Sequence, residues 1–216
     1  MSQKPLILIA AAAATNNGIG VENGLPWRLR KELAYFTKAT KTVVTAKQPH
    51  DDDNVPLMNA CIMGRNTWEG IPPKYRPFDQ RYNIVISSNP HLHGATNPLF
   101  TVTRPSIDAA LEHIDELNRS NKVRIDRVFV VGGGRLYAAA LHRDAHVQVL
   151  LTKVQFDRAH TCDAFFPPLD EHVFVPQTHE RLEEVVGFEV PRGVQTENNI
   201  DYEFFLFENT RNLIKQ

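Results

Sequence analysis

Hydrophobic positions along the chain follow two periods in turn. Leu6–Ala14 is an unbroken apolar run. Met58–Met63, Tyr82–Ser87, Leu99–Val102, Arg127–Val131 and Val147–Val154 are shorter stretches, and all six predict strands. Between them apolar residues recur every three or four positions. Leu29–Thr40 carries Leu29, Leu33 and Phe36 at that spacing, and Ile107–Leu117 carries Ile107, Ala110, Leu111, Ile114 and Leu117, so both predict helices. Ser106 stands where the second needs an N-cap. Arg135–Leu141 predicts another helix and Arg65–Glu69 opens a short one. Strand alternating with helix predicts an α/β fold in three layers, with a mostly parallel central sheet between flanking helices. Near the end the alternation stops. Leu182–Val190 and Tyr202–Glu208 predict two strands with no helix between them, hence a C-terminal antiparallel pair.

The 216 residues suit a single domain, 1–216, with a core over about 5–209. The polar segment 45–57, which includes Asp51, Asp52 and Asp53, predicts an exposed loop insertion. Its acidic triplet is a solvated loop tip before it is a cation site. His142 and His146 stand four apart but run from a helix end into a strand, so no metal site is expected. The apolar run at Leu6 has the length of a signal peptide core, but Pro5 and the lone Lys4 make a poor positive flank, and a buried central strand is the better reading. Lys and Arg number 24 against 25 Asp and Glu, a net charge of −1, which gives no cause to expect nucleic acid or a membrane as partner. Cys61 and Cys162 lack metal-ligand spacing, and Cys61 sits in an apolar run as a buried free thiol. That fits a reducing, cytoplasmic setting.

One carboxylate falls out of pattern. Glu32 lies three residues after Leu29 and four before Phe36, on the apolar stripe of the predicted helix. Facing inward, it needs a partner, a shifted pKa or a cavity holding a polar ligand. The plainer reading is a surface ion pair with Arg28. The preceding Gly18-Ile19-Gly20-Val21-Glu22-Asn23-Gly24-Leu25-Pro26-Trp27 brings Pro26 and Trp27 to the same helix end, which suggests an aromatic-walled pocket with one acidic group.

Two predicted strands run through glycine into helices. Val128–Val131 meets Gly132-Gly133-Gly134-Arg135, and Cys61–Met63 meets Gly64-Arg65-Asn66-Thr67. Such a junction exposes backbone N–H groups at a positive helix end and suits a dinucleotide pyrophosphate, although neither is the G-x-G-x-x-G fingerprint. Arg65, Ser87, Ser88 and Arg104 lie at or near strand ends, and arginine with serine suits a phosphate monoester, so the set favours NADPH over NADH.

These blocks occur in an order and spacing that resemble dihydrofolate reductase from Leu6 to about Glu208. They are the first strand with Gly18-Ile19-Gly20, Leu25-Pro26-Trp27 with Glu32 and Phe36, and Ile62-Met63-Gly64-Arg65-Asn66-Thr67-Trp68. Further along come Ile71-Pro72, Arg81 with Asn83-Ile84-Val85-Ile86-Ser87, Val130-Val131-Gly132-Gly133-Gly134-Arg135-Leu136-Tyr137, Leu151-Thr152 and Phe165-Phe166-Pro167. The chain length and the 45–57 loop lean towards the fungal type.

The resemblance implies roles. Glu32 would bind the 2-amino group and N3 of the pteridine, with Thr152 supporting it through a water that Trp27 also holds. Ala10 and Val131 would flank that ring through their carbonyls, beside Ala11. Leu25, Phe36, Ile71, Pro72 and Phe78 would line the pteridine and aminobenzoyl slot, and Arg81 would take the α-carboxylate of the glutamate tail. Gly132 and Gly133 match the family's cis Gly-Gly peptide beside the nicotinamide, with Tyr137 nearby and Ala12, Ile19 and Gly20 at its border. Gly64, Asn66, Thr67, Gly134, Arg135 and Leu136 fall to the pyrophosphate region, and Arg65, Ser87, Ser88 and Arg104 to the adenosine 2′-phosphate. Arg28, Arg30 and Lys31 make the start of the Glu32 helix unusually basic, against its dipole; they are read as solvated.

The implied activity is NADPH-dependent reduction of dihydrofolate to tetrahydrofolate by a monomer, with folate as a second candidate substrate and antifolate inhibitors sharing the cleft. Hydride would pass from nicotinamide C4 to pteridine C6, and N5 would be protonated through water, since no His or Cys falls in the matched pocket. A pyrimidine reductase of riboflavin synthesis is the alternative enzyme, opposed by the Leu25-Pro26-Trp27 loop and Glu32. A non-catalytic NADPH-binding module is the third reading, opposed by the complete pocket set.

Overall fold

The protein is described by a computed structural model covering residues 5–46, 54–89 and 100–209. The N-terminal apolar run is strand β1 (Leu6–Ala13), and both of its faces are buried. Leu6, Leu8, Ala10 and Ala12 enter one core, and Ile7, Ile9 and Ala13 the other. A strand apolar on alternate and intervening positions alike must lie inside a sheet covered on both faces. It is followed by β2 (Gly18–Gly20), α1 (Arg30–Lys41), β3 (Leu57–Gly64), α2 (Arg65–Gly70), β4 (Arg81–Ile86), β5 (Thr101–Arg104) and α3 (Ile107–Ser120). Then come β6 (Arg124–Val130), α4 (Gly134–Leu141), β7 (Val147–Val154), β8 (Ala164–Phe165), β9 (Phe174–Pro176), α5 (His179–Val186), β10 (Gln195–Glu197) and β11 (Ile200–Asn209).

The main sheet runs β10-β11-β7-β1-β6-β3-β4-β5, with β9 also on β11. From β7 to β5 every pairing is parallel, while β11 is antiparallel to β7, β9 and β10. Side chains of α3 and α4 fill the core on one face, and those of α1, α2 and α5 fill the core on the other. These are the expected three layers. Ser106 caps α3, its Oγ accepting from Ala109 N at 3.1 Å.

Three expectations change. Leu182–Val190 is not a strand. Residues 179–186 form α5, with Thr178 Oγ1 accepting from Arg181 N at 3.2 Å and Gly187 ending the helix at φ 81°. Leu182, Val185 and Val186 are buried at helical spacing. The β-branched valines suggested a strand, but the caps on either side decide the matter. The antiparallel pair remains, with β10 as partner of β11. In α1, Leu29 is the N-cap, Leu33 is 48 % exposed, and the core-facing stripe is Tyr35 and Ala39. Leu99 and most of the 45–57 loop lie outside the described residues, and the fifth strand is Thr101–Arg104.

Strand pairing also creates a crevice. β1 pairs with β7 from Leu6 through Ala13 but with β6 only from Leu6 to Leu8. Beyond Leu8 and Val130 the two strands are no longer paired. Small residues, Ala10 to Ala13 and Gly132 to Gly134, occupy both sides of the opening. A gap at the carboxyl ends of parallel strands is where open α/β sheets take ligands.

Candidate active site

Glu32 is the third residue of α1, is 7 % exposed and accepts a hydrogen bond from Thr152 Oγ1 at 3.2 Å. The contact is direct and reaches the helix from Thr152 on β7, where the resemblance implies a water between the two. Glu32 has no ion pair among the described residues, so a surface pair with Arg28 is set aside. Burial pushes its carboxyl from the ordinary 4.5 up to about 7; the Thr152 bond opposes this and the Glu197 charge adds to it. Burial raises the hydroxyl pKa values of Tyr35 and Tyr137 above the ordinary range, and the Glu32 charge adds to both.

A carboxyl held above its ordinary value weakens the fold when it ionises. The folded state retains a proton that the unfolded chain has lost, so stability falls as pH rises from about 4.5 through about 7 and the loss is complete above that. The cost is about 3 kcal/mol. Glu32→Gln is therefore expected to melt roughly 5–10 °C above wild type at pH 8. The gap should close towards pH 4, as followed by thermal unfolding across pH. A gap independent of pH would remove the explanation.

Trp27 is buried edge-on against Phe156 at 5.4 Å, and its Nε1–H has no partner among the described residues. Phe36 meets Phe78 edge-on at 5.6 Å. Leu33, three residues before Phe36, shares its helix side. Leu25 is 60 % exposed, Pro72 is exposed and Ile71 is partly buried. Arg81 closes this end. It is 5 % exposed, its Nη1 donates to Thr40 Oγ1 at 2.8 Å and its Nε to Asp79 O at 3.0 Å, and its guanidinium lies over Phe78 at 4.5 Å. Nη2 makes no hydrogen bond among the described residues.

The two glycine junctions meet at the ends of the paired strands β6 and β3, on one side of the crevice. Gly64 N donates to Gly132 O at 2.7 Å, and the Gly132–Gly133 peptide is cis. Gly132 has φ +121°, and a methyl on Gly132 or Gly133 would come within 3.4 Å of Thr67 Oγ1. One on Gly134 would meet Phe165 O at 2.4 Å. Gly132 is kept a glycine by its φ and Gly134 by the Phe165 carbonyl, while Gly133 leaves room at ordinary contact distance. No side chain caps α4, so its first turn keeps N–H groups for an acidic ligand. Leu136 and Tyr137 are buried, and Tyr137 OH donates to Ile9 O at 2.7 Å, tying α4 to β1. Ala12 and Ile19 join the same core, and Gly20 approaches Ala164 on β8. This cradle fits a dinucleotide. Arg135 and Asn66 are exposed beside it.

The four phosphate candidates divide. Ser87 and Arg104 are neighbours, Ser87 N donating to Arg104 O at 3.0 Å, and Ser88 is exposed next to them. Arg65 is exposed and paired with Glu69 at 3.2 Å. Arg104 donates through Nη2 to His113 Nδ1 at 2.6 Å, and His113 Nε2 contacts Tyr82 OH at 2.9 Å. Because arginine only donates, Nδ1 must be unprotonated. Burial and then the Arg104 charge hold the His113 pKa below its ordinary value. Sequence reasoning passed over His113, although its place three residues after Ala110 and four before Leu117 puts it on the inner side of α3. Among the described residues no cluster of His, Cys, Asp or Glu has metal-ligand geometry, and no helix is long and apolar enough to cross a membrane.

The family model for dihydrofolate reductase matches residues 53–191. The chain is 37 % identical to the dihydrofolate reductase of Pneumocystis carinii, over 99 % of this chain and 100 % of that one. It is 38 % identical to that of Heliothis virescens over 96 % and 99 %. Among solved structures, Schistosoma mansoni dihydrofolate reductase superimposes with a TM-score of 0.72 at 31 % identity, covering 96 % of this chain and 99 % of that one. These relatives indicate the eukaryotic type.

Proposed function

Since the chain belongs to the dihydrofolate reductase family, we propose that it reduces 7,8-dihydrofolate to 5,6,7,8-tetrahydrofolate with NADPH. The observation that carries this reading is Glu32: a buried carboxyl beside a crevice whose far side is a glycine-lined cradle. The pteridine is anchored by two parallel bonds to Glu32, through its 2-amino group and N3, with Thr152 fixing the carboxylate. Phe36, Leu33, Ile71 and Phe78 hold the aminobenzoyl group, and Arg81 the tail carboxylate. Ala12, Ile19, Gly20, Gly132, Gly133 and Tyr137 border the nicotinamide. Gly64, Thr67, Gly134 and Leu136 cover the pyrophosphate, and Ser87, Ser88 and Arg104 the 2′-phosphate.

When bound, NADPH supplies a hydride from C4 for pteridine C6. The chain contributes position: it holds the two rings at near-attack distance and limits the approach of water. Glu32 faces the pteridine edge away from N5, so it polarises the ring while water delivers the N5 proton. The working unit is a single-domain cytoplasmic monomer, and antifolates compete with dihydrofolate in the cleft. The test is to mix enzyme and NADPH with dihydrofolate, and separately with the pyrimidine precursor of riboflavin. Oxidation of NADPH only with dihydrofolate is expected; oxidation only with the pyrimidine, or with neither, would overturn the reading.

Cofactor choice gives a sharper expectation. Losing a charge-assisted phosphate bond costs about 1.5–3 kcal/mol, or roughly one to two decades in affinity. Arg104→Ala should narrow the ratio of kcat/KM for NADPH over NADH by that amount. Arg65→Ala should do less, since Arg65 is exposed and shared with Glu69. An unchanged ratio in Arg104→Ala would free Arg104 of this role.

A further inference from the structure

The basic start of α1 is answered from the far end of the chain. Glu197, the last residue of β10, accepts from Arg30 N through Oε1 and from Lys31 N through Oε2, both at 2.9 Å. Next to it Asn198 Nδ2 donates to Arg28 O at 2.8 Å. Asn198 and Asn199 form the two-residue turn between β10 and β11, at φ 54° and 58°, the left-handed values a tight hairpin needs and Asn tolerates. Leu29, the N-cap of α1, has no side-chain acceptor to offer. The carboxylate that a helix start usually draws from its own cap residue comes here from more than 160 positions away.

We propose that Glu197 is a positioning residue of the reductase site, clamping the start of α1 and with it the placement of Glu32 and the Trp27 loop. The clamp touches the first two helical N–H groups, immediately before Glu32. A frayed first turn would move the anchor against Thr152 and the pteridine edge. The clamp also carries charge. The N–H bonds from Lys31 and Arg30, and the charges of both side chains, hold Glu197 ionised. That negative charge adds to the burial that keeps the Glu32 proton bound towards neutral pH. The other groups sharing the Glu32 field are Thr152 from β7, Tyr35 from α1 itself, Tyr137 from α4 and Tyr202 from β11. None of these brings a second carboxylate. Glu197 therefore couples the β10–β11 hairpin to both the place and the protonation of the anchor.

This inference rests on the proposed role of Glu32, and two readouts separate the two claims. The first is the pH titration of the Glu32 carboxyl, followed by carbon-13 NMR in the ligand-free protein, for wild type, Glu197→Gln and Glu197→Ala. Gln keeps an acceptor and loses the charge. The Glu32 midpoint is expected to fall by about half a pH unit in Glu197→Gln, the scale of one screened charge. The second is kcat/KM for dihydrofolate against pH. In Glu197→Gln its midpoint should move the same way, and in Glu197→Ala the plateau should drop roughly tenfold as the anchor loses its place. A lowered Tm with an unmoved Glu32 midpoint and an unchanged plateau would make Glu197 merely structural and overturn the proposal. If Glu197→Ala does not fold, the Glu197→Gln midpoints decide. If wild type does not reduce dihydrofolate, the functional reading fails, while the NMR midpoint still tests the coupling.

Discussion

Glu32→Gln should fold, bind NADPH as wild type does and lose roughly 10²–10⁴-fold in kcat for dihydrofolate, the range spanned by one positioned acid or base group. The size of this loss follows from where the side chain sits. It is buried, hydrogen-bonded to the Thr152 side chain, and placed in the first turn of a helix whose first N–H groups are tied to Glu197. Gln matches its shape but turns one acceptor into a donor, so one of two parallel bonds to the pteridine edge becomes a donor facing a donor. The same substitution should raise Tm above pH 7. A variant that is more stable and far less active identifies a group kept for chemistry at the expense of the fold. Wild-type turnover by Glu32→Gln would remove Glu32 from the mechanism.

Arg81→Lys is expected to weaken dihydrofolate binding by one to two decades, corresponding to about 1.5–3 kcal/mol, while NADPH affinity barely moves. Arg81 opens β4, a strand end where an arginine side chain is ordinarily solvated. Instead it is buried, with Nε and Nη1 engaged by Asp79 O and Thr40 Oγ1 and its plane set over Phe78. A guanidinium fixed in this way can offer two parallel N–H bonds to a carboxylate, which an ammonium cannot imitate. The comparison is variant by ligand. Dihydrofolate should bind the variant less well, and a pteridine lacking the glutamate should bind both proteins alike. Equal loss for both ligands would mean that Arg81 supports the fold or the pteridine pocket and not the tail.

The fold was legible where periodicity and burial agree. β1 reads as a doubly covered strand because all its positions are apolar, and α3 reads as a helix because Ser106 marks its start. It was misread where they part. The valines of α5 have strand propensity, yet Thr178 and Gly187 bracket a helix, and caps outweighed side-chain preference. In α1 the apolar stripe was placed one residue off. The helix has two apolar sides, Tyr35 and Ala39 towards the core and Leu33 with Phe36 on the other, and Glu32 stands between them.

The site shows the same division. Glu32 and the glycine junctions announce themselves because carboxylates and bare backbone are out of place in a core. The direct Thr152 contact, the contact of His113 with Arg104 and the Glu197 clamp depend on residues far apart in sequence or on side-chain direction. No local pattern carries them.

The most direct test of the central claim is the fate of an isotope label in a single turnover. NADPH carrying deuterium at the transferable C4 position is mixed with excess enzyme and dihydrofolate, and the product is analysed by mass spectrometry and NMR. The account predicts tetrahydrofolate with deuterium at C6 and solvent hydrogen at N5, and little product with Glu32→Gln. NADPH oxidation without deuterium at C6, or labelled product at an undiminished rate from Glu32→Gln, would contradict it.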